Sequence, residues 1–160
     1  MKKIKLFLSD VDGTLTDAGM YYTESGDEFK KFCTYDGKGF ELLRNAGIKT
    51  GIITSEKTKI VENRAKKLKL DYIFQGIEHI GKLNCALAIC KELKIEIDEV
   101  AYVGDDINCK ELLENVGYAA CPYNSMDEIK QIKKIVKLKK SGGFGAVREF
   151  VELVLKNNSC

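Results

Sequence analysis

The sequence predicts an α/β domain built on a doubly wound parallel sheet with helices on both faces, and three observations carry that expectation. Short apolar runs such as Leu6-Phe7-Leu8, Ile52-Ile53 and Val100-Ala101-Tyr102-Val103 read as strands buried on both sides. Segments of helical apolar period lie between them, so strands and helices alternate along the chain. Several strands also end in polar residues: Asp10 and Asp12, Thr54 and Ser55, Asp105 and Asp106. In an open α/β sheet the carboxyl ends of the strands are where ligands bind. At 160 residues the chain has the length of one domain, residues 1–160, and enough sequence to bury a real core.

The first strand runs through Leu6-Phe7-Leu8 into Asp10-Val11-Asp12-Gly13-Thr14. Residues 18–33 hold two β-prone runs around Ser25-Gly26 and read as a hairpin projecting from the strand ends. Its aromatics, Tyr21, Tyr22, Phe29 and Phe32, either cover the sheet edge or meet another subunit. Residues 36–46 form a helix on Phe40, Leu42 and Leu43 that stops at Gly47. Residues 48–54 are a second buried strand, and residues 56–68 a helix with a lysine-rich outer face. A short strand at residues 71–74 precedes a helix over residues 82–93. Lys82 opens that helix, an unfavourable place for a cation unless an anion binds there too. Residues 100–103 form the third buried strand, ending in Gly104-Asp105-Asp106-Ile107-Asn108. A helix at residues 111–116 and a strand at residues 118–121 follow, before the only proline, Pro122. Residues 126–136 are amphipathic through Ile129, Ile132, Ile135 and Val136. A basic segment and a glycine-rich loop, residues 137–145, lead to a last helix over residues 146–155 that buries Val147, Phe150, Val151 and Val154.

Composition removes several function classes. Lysine and arginine total 26 against 24 acidic residues, a net charge of +2, which gives no nucleic-acid footprint. No stretch is long enough to span a membrane, and the lysine-led apolar run at residues 1–8 is too short for a signal peptide. Six cysteines, Cys33, Cys85, Cys90, Cys109, Cys121 and Cys160, include no C-x-x-C pair, and the sole histidine, His79, is not near a cysteine pair. They read as free thiols, several of them small core residues, in a reducing cytoplasm.

Residues two apart leave a strand on the same side, so Asp10 and Asp12 can converge on one point. Like charges that close repel unless a cation or a shared proton lies between them, and a hard ion such as Mg2+ suits carboxylates and accompanies phosphates. Taken singly, Thr54 is a satisfied strand-end hydroxyl and Lys82 a solvated helix start. Together with the paired acids they make an inventory for phosphoryl transfer, which needs a positioned nucleophile and charge on the phosphoryl oxygens. A calcium loop of the EF-hand type is excluded, because it requires a third Asp or Asn before the glycine and a closing Glu.

An apolar strand ending in Asp10-x-Asp12-Gly13-Thr14 resembles the first motif of the haloacid dehalogenase superfamily, mostly aspartate-nucleophile phosphatases with a Rossmann-like sheet. Thr54, Lys82 and Asp105-Asp106 follow in that superfamily's motif order. The resemblance implies Asp10 as the nucleophile that forms an aspartyl-phosphate, and Asp12 as general acid and then base. It implies Mg2+ held by the Asp10 carboxylate, the Asp12 carbonyl and Asp105, with Asp106 and Asn108 supporting the metal. Thr54, the Ser55 N–H and Lys82 would bind the phosphoryl oxygens.

Only the hairpin and one helix occupy the interval where the superfamily often inserts a cap. With the chain length and the ending Gly142-Gly143-Phe144-Gly145-Ala146-Val147-Arg148-Glu149, this is similar to the capless 3-deoxy-manno-octulosonate 8-phosphate phosphatases. The same subfamily includes phosphatases of nine-carbon keto-deoxy sugar acid 9-phosphates and domains fused to acylneuraminate cytidylyltransferases. It implies a sugar acid phosphate as substrate and a homotetramer formed through the hairpin, each subunit covering its neighbour's site. Arg148 becomes a candidate for the sugar carboxylate, beside the plainer reading that it pairs with an acid on its own helix. Where the octulosonate enzymes typically carry Gly-Arg after the threonine, this chain has Ser55-Glu56; Glu56 together with Lys67 favours the nine-carbon substrates. Two other classes stay open at this point. A receiver module phosphorylated on aspartate also gathers acids, a hydroxyl and a lysine, but places its acceptor after a later strand. A non-catalytic oligomerisation domain fits the hairpin but not the complete motifs.

Overall fold

Local period dictates most of the architecture of the computed structural model, which describes residues 2–159; Met1 and the Cys160 thiol lie outside the described residues. In chain order the elements are β1 (Leu6–Ser9), the hairpin strands β2 (Tyr21–Tyr22) and β3 (Glu28–Phe29), α1 (Thr34–Asn45), β4 (Lys49–Thr54), α2 (Lys59–Leu68), β5 (Tyr72–Gln75) and α3 (Ile80–Leu93). They continue with β6 (Val100–Val103), α4 (Lys110–Asn115), β7 (Tyr118–Cys121), α5 (Asp127–Lys130), β8 (Val136–Lys137) and α6 (Ala146–Ser159).

The main sheet has the order β5-β4-β1-β6-β7-β8, and each neighbouring pair is parallel. From β1 the chain builds outward through β4 and β5, then returns to the other side of β1 with β6. The order therefore reverses between β1 and β6, which puts the ligand crevice at their carboxyl ends.

Alternation along β1 sorts its side chains to two cores. Phe7 joins Phe40, Leu43, Ile52, Val61, Val147 and Phe150 under α1, α2 and α6. Leu6 and Leu8 join Ile53, Ala86, Ile89, Tyr102 and Leu112 under α3 and α4. With helices on both faces, the strands need no polar side, and β1 and β6 are buried at every position.

The doubly wound parallel sheet and the hairpin stand as expected; Tyr21 pairs with Phe29 in the hairpin, and Thr16 bridges Phe32 at its base. Element ends differ. The second helix begins at Lys59, not residue 56, because Thr58 caps it by accepting from the Val61 N–H. The third begins at Ile80, so Lys82 sits inside its first turn. The amphipathic stretch 126–136 stays helical only over α5; Lys134 takes φ 67°, and Val136 beyond it forms β8 with Lys137. There the Leu138 N–H donates to the Cys121 carbonyl at 2.9 Å, so tertiary pairing with β7 overrides the helical period.

Candidate active site

Asp10 lies one residue beyond β1, and its N–H continues the ladder to the Val103 carbonyl at 2.9 Å. It shares the parity of Leu6 and Leu8, so its side chain turns toward the α3 side of the sheet. Three donors meet its carboxylate there. The Val11 N–H gives to Oδ1 at 2.7 Å, while Lys82 Nζ at 2.7 Å and Cys109 Sγ at 2.8 Å both reach Oδ2. Lys82 is fully buried. Burial alone would lower its ammonium, but the Asp10 charge together with the bonds to Asp10 and Cys109 more than offsets that and holds it raised. Burial and the Asp10 charge push the Cys109 thiol well above the usual range, so it carries its proton. The Tyr102 hydroxyl lies 3.1 Å from the same sulfur.

Asp105 arrives from the end of β6. Its Oδ1 accepts from the Thr14 hydroxyl at 3.2 Å, and burial together with the Asp10 charge pushes its carboxyl up to about 7. Gly13 makes that approach possible: it has φ +77°, and a Cβ there would fall 1.9 Å from Asp105 Oδ2. Asp12 is half-buried, and burial raises its carboxyl despite an ammonium bonded to it. That ammonium is Lys30, from the strand side of the hairpin. Its Nζ reaches Asp12 and Glu56 at 2.7 Å each and Glu28 at 3.3 Å, with a side chain only 3 % exposed.

Asp10, Asp12, Thr54, Ser55, Glu56, Asp105, Asp106 and Asn108 line one cavity of about 240 Å3, with Ala18 and Met20 of the hairpin at its rim. Asn108 Nδ2 donates to Ser55 Oγ at 2.9 Å, tying the β6 end to the β4 end. Asp106 is exposed and accepts from the Ile107 N–H. Two expected residues are not brought here within this chain. Lys67 is exposed in the last turn of α2, at the helix end remote from Glu56. Arg148 Nε pairs with Glu152 at 2.8 Å on its own helix. A larger depression of about 560 Å3 opens at the amino ends of β6 and β7, where Lys2, Lys133 and Lys134 meet Asp98 and Glu114, with no comparable convergence of groups.

Sequence reasoning missed Lys30, Cys109 and Asn124. Lys30 carries no motif spacing, and the sole signal for Cys109 is its place directly after Asn108. Asn124 spans two loops: its Nδ2 donates to the Gly13 carbonyl at 3.1 Å, and its Oδ1 accepts from the Gly142 N–H at 2.7 Å.

The donor set fits a hard divalent cation. Carboxylate oxygens of Asp10 and Asp105 lie within 4.8 Å of each other, at a buried point where a cation relieves their repulsion; Cys109 lies beside them but keeps its proton and is no ligand for a hard ion.

The family described as haloacid dehalogenase-like hydrolase matches residues 34–117. Over 155 residues the chain is 34% identical to the 3-deoxy-D-manno-octulosonate 8-phosphate phosphatase KdsC of Escherichia coli K12, covering 96% of this chain and 80% of that protein. Among solved structures it is similar to a 3-deoxy-D-manno-octulosonate 8-phosphate phosphatase from Moraxella catarrhalis in complex with magnesium ion, phosphate ion and KDO, with a TM-score of 0.92 and 37% identity, covering 99% of this chain and 89% of that one. A probable yrbI family phosphatase from Pseudomonas syringae matches at TM-score 0.92 and 39% identity, covering 98% and 88%. With these likenesses spanning nearly all of its length, and carboxylates at the ends of β1 and β6, the chain belongs to the haloacid dehalogenase-like hydrolase family.

Proposed function

We propose that this protein is a Mg2+-dependent phosphomonoesterase acting on a 3-deoxy-2-keto sugar acid phosphate, with Asp10 as its nucleophile. The observation that carries the reading is the buried Asp10 carboxylate, held by Lys82 and facing Asp105 at the mouth of a polar cavity. Asp10 attacks phosphorus and forms an aspartyl-phosphate while the sugar alkoxide leaves. Asp12 protonates that alkoxide, and its burial-raised carboxyl suits the task; it then takes a proton from the water that releases phosphate. Thr54 and the Ser55 N–H bind the phosphoryl oxygens, while Lys82 neutralises charge and orients Asp10. The Asp10 carboxylate, the Asp12 carbonyl and Asp105 would hold Mg2+, with Asp106 and Asn108 supporting it; when bound, the ion would screen the anionic nucleophile from the anionic phosphate.

The Escherichia coli and Moraxella catarrhalis relatives are 3-deoxy-D-manno-octulosonate 8-phosphate phosphatases, which makes that eight-carbon 8-phosphate the first substrate to try. Glu56 favours the nine-carbon 9-phosphates as the second. Its carboxylate stands at the cavity where the octulosonate enzymes carry an arginine, and an acid there meets hydroxyl or amino groups better than a carboxylate. The experiment is phosphate release from a panel of eight- and nine-carbon keto-deoxy sugar acid phosphates by wild type, Asp10→Asn and Glu56→Arg, with and without chelator. Release should vanish in Asp10→Asn and in chelator, and Glu56→Arg should shift preference toward eight carbons. Undiminished turnover by Asp10→Asn would overturn the mechanism, and failure of the whole panel the substrate class.

Assembly belongs to the same reading. Met20, Tyr22 and Phe29 are each more than half exposed on the hairpin, the apolar surface expected of an element that joins subunits into a homotetramer. Lys67 and Arg148 then enter the substrate set only through a neighbouring copy, which single substitutions assayed in the assembled protein would reveal as raised KM.

A further inference from the structure

We propose that Cys109 is a positioning residue for the reaction, whose thiol fixes the plane of the Asp10 carboxylate. This rests on Asp10 being the nucleophile. Cys109 is the first residue beyond the acidic motif at the end of β6, it is fully buried, and its Sγ lies 2.8 Å from Asp10 Oδ2.

A carboxylate oxygen offers two lone pairs. Lys82 Nζ and Cys109 Sγ occupy both of those on Oδ2, whereas Oδ1 accepts one bond, from the Val11 N–H. Rotation about the Cβ–Cγ bond would break all three contacts at once. An ammonium alone cannot set this plane, because its three donors rotate freely around a point charge. A thiol has one donor and a fixed aim.

The surroundings hold that aim. A Cβ on Gly104 would fall 2.6 Å from Cys109 Sγ, so the absence of a side chain there leaves the sulfur just enough room. The Tyr102 hydroxyl, wholly buried in β6, lies 3.1 Å from Sγ on another side, and Lys82 Nζ lies 3.4 Å away. With Tyr102 O–H donating to sulfur, the Cys109 S–H has two acceptors, Asp10 Oδ2 at 2.8 Å and Asn108 Oδ1 at 3.3 Å, of which the nearer, charged one is Asp10. Attack by a carboxylate held in the productive plane needs no reorganisation at the moment of reaction, which is where a positioning group acts.

The test compares wild type, Cys109→Ser, Cys109→Ala and Tyr102→Phe in the full-length, Mg2+-loaded protein. Phosphate release is measured on the sugar acid phosphates and on p-nitrophenyl phosphate. Cys109→Ser keeps a donor and should retain kcat within a few fold. Cys109→Ala should lose kcat by roughly ten- to a hundredfold, the scale of a bond to a charged group, with KM unchanged. Tyr102→Phe should fall between them. A second readout needs no turnover: the carboxyl 13C resonance of Asp10, assigned with Asp10→Asn, should move in Cys109→Ala and stay near its place in Cys109→Ser. If no phosphomonoester is hydrolysed by wild type, the functional reading fails while the resonance still reports whether the thiol holds Asp10. Equal kcat in wild type and Cys109→Ala, an unmoved resonance, or parallel losses in the serine and alanine variants that track melting temperature would each overturn the proposal.

Discussion

Two buried lysines hold the acids of this site, and they do different work. Lys82 is committed to Asp10, and its compact ammonium fits a space closed by Cys109 and the sheet. Lys82→Arg should therefore fail to restore the activity lost in Lys82→Ala, since a planar guanidinium cannot enter without displacing those neighbours. Recovery of wild-type kcat by arginine would show that charge alone suffices. Lys30 is shared among Asp12, Glu56 and Glu28. Burial would lower its ammonium, but the bonds to Asp12 and Glu56 more than offset this and leave it raised. Lys30→Met removes the cation that these three carboxylates share, so it should lower stability by about 1 kcal/mol. Urea unfolding of both proteins measures the loss, and equal midpoints would show that the shared cation contributes nothing.

At the scale of elements, the contact between α1 and the start of α6 is the pH-sensitive one. Asp36, in the first turn of α1, accepts the Arg148 N–H at 2.8 Å, and its other oxygen is buried with no partner among the described residues. Burial pushes its carboxyl up to about 6 from a model-peptide value of 3.8, against the lowering influence of the Arg148 N–H and the charges of Arg64, Lys140 and Arg148. A folded-state pKa above the unfolded one means the fold prefers the protonated acid. The stability this contributes is complete below the unfolded value and is lost as pH rises through about 6, a change of about 3 kcal/mol. Asp36→Asn keeps an acceptor for Arg148 and should flatten that part of the stability curve; an unaltered slope would point to another group. The hairpin is the second element with a measurable role. Phe29→Ser together with Tyr22→Ser should lower the assembly state in sedimentation while leaving the sheet intact, because both side chains are exposed and contribute little to the chain's own core.

Across the whole molecule, the glycine-rich tail and the Asp10 loop behave as one body. Asn124 joins the Gly13 carbonyl to the Gly142 N–H, the Gly143 N–H donates to the Thr14 carbonyl at 3.3 Å, and Lys31 Nζ sits 3.1 Å above the Phe144 ring. A Cβ on Gly142 would fall 2.0 Å from the Gly13 carbonyl oxygen. Gly142→Ala should thus push the tail off the loop, costing roughly 1–3 kcal/mol and reducing kcat even though residue 142 is outside the cavity. Wild-type melting temperature and kcat in that variant would mean that the two loops move independently.

What the sequence determined by itself is what repeats locally. Strand ends told which acids and hydroxyls gather, and motif order told that Asp105 arrives beside Asp10. The helices over α1, α2, α3 and α6 were legible from apolar spacing to within a few residues. Only the tertiary structure decided the rest. Residues 126–136 have a helical period, yet part of that stretch is strand because β7 had an open edge to pair. Arg148 is the exception: its partner Glu152 lies one turn along its own helix, one of the two readings the sequence already offered. Lys30 found Asp12 and Glu56 because a hairpin folded back over the crevice, and Cys109 reached Asp10 across 99 residues of chain. Such pairings depend on how distant segments pack, and no local period encodes a distance between them.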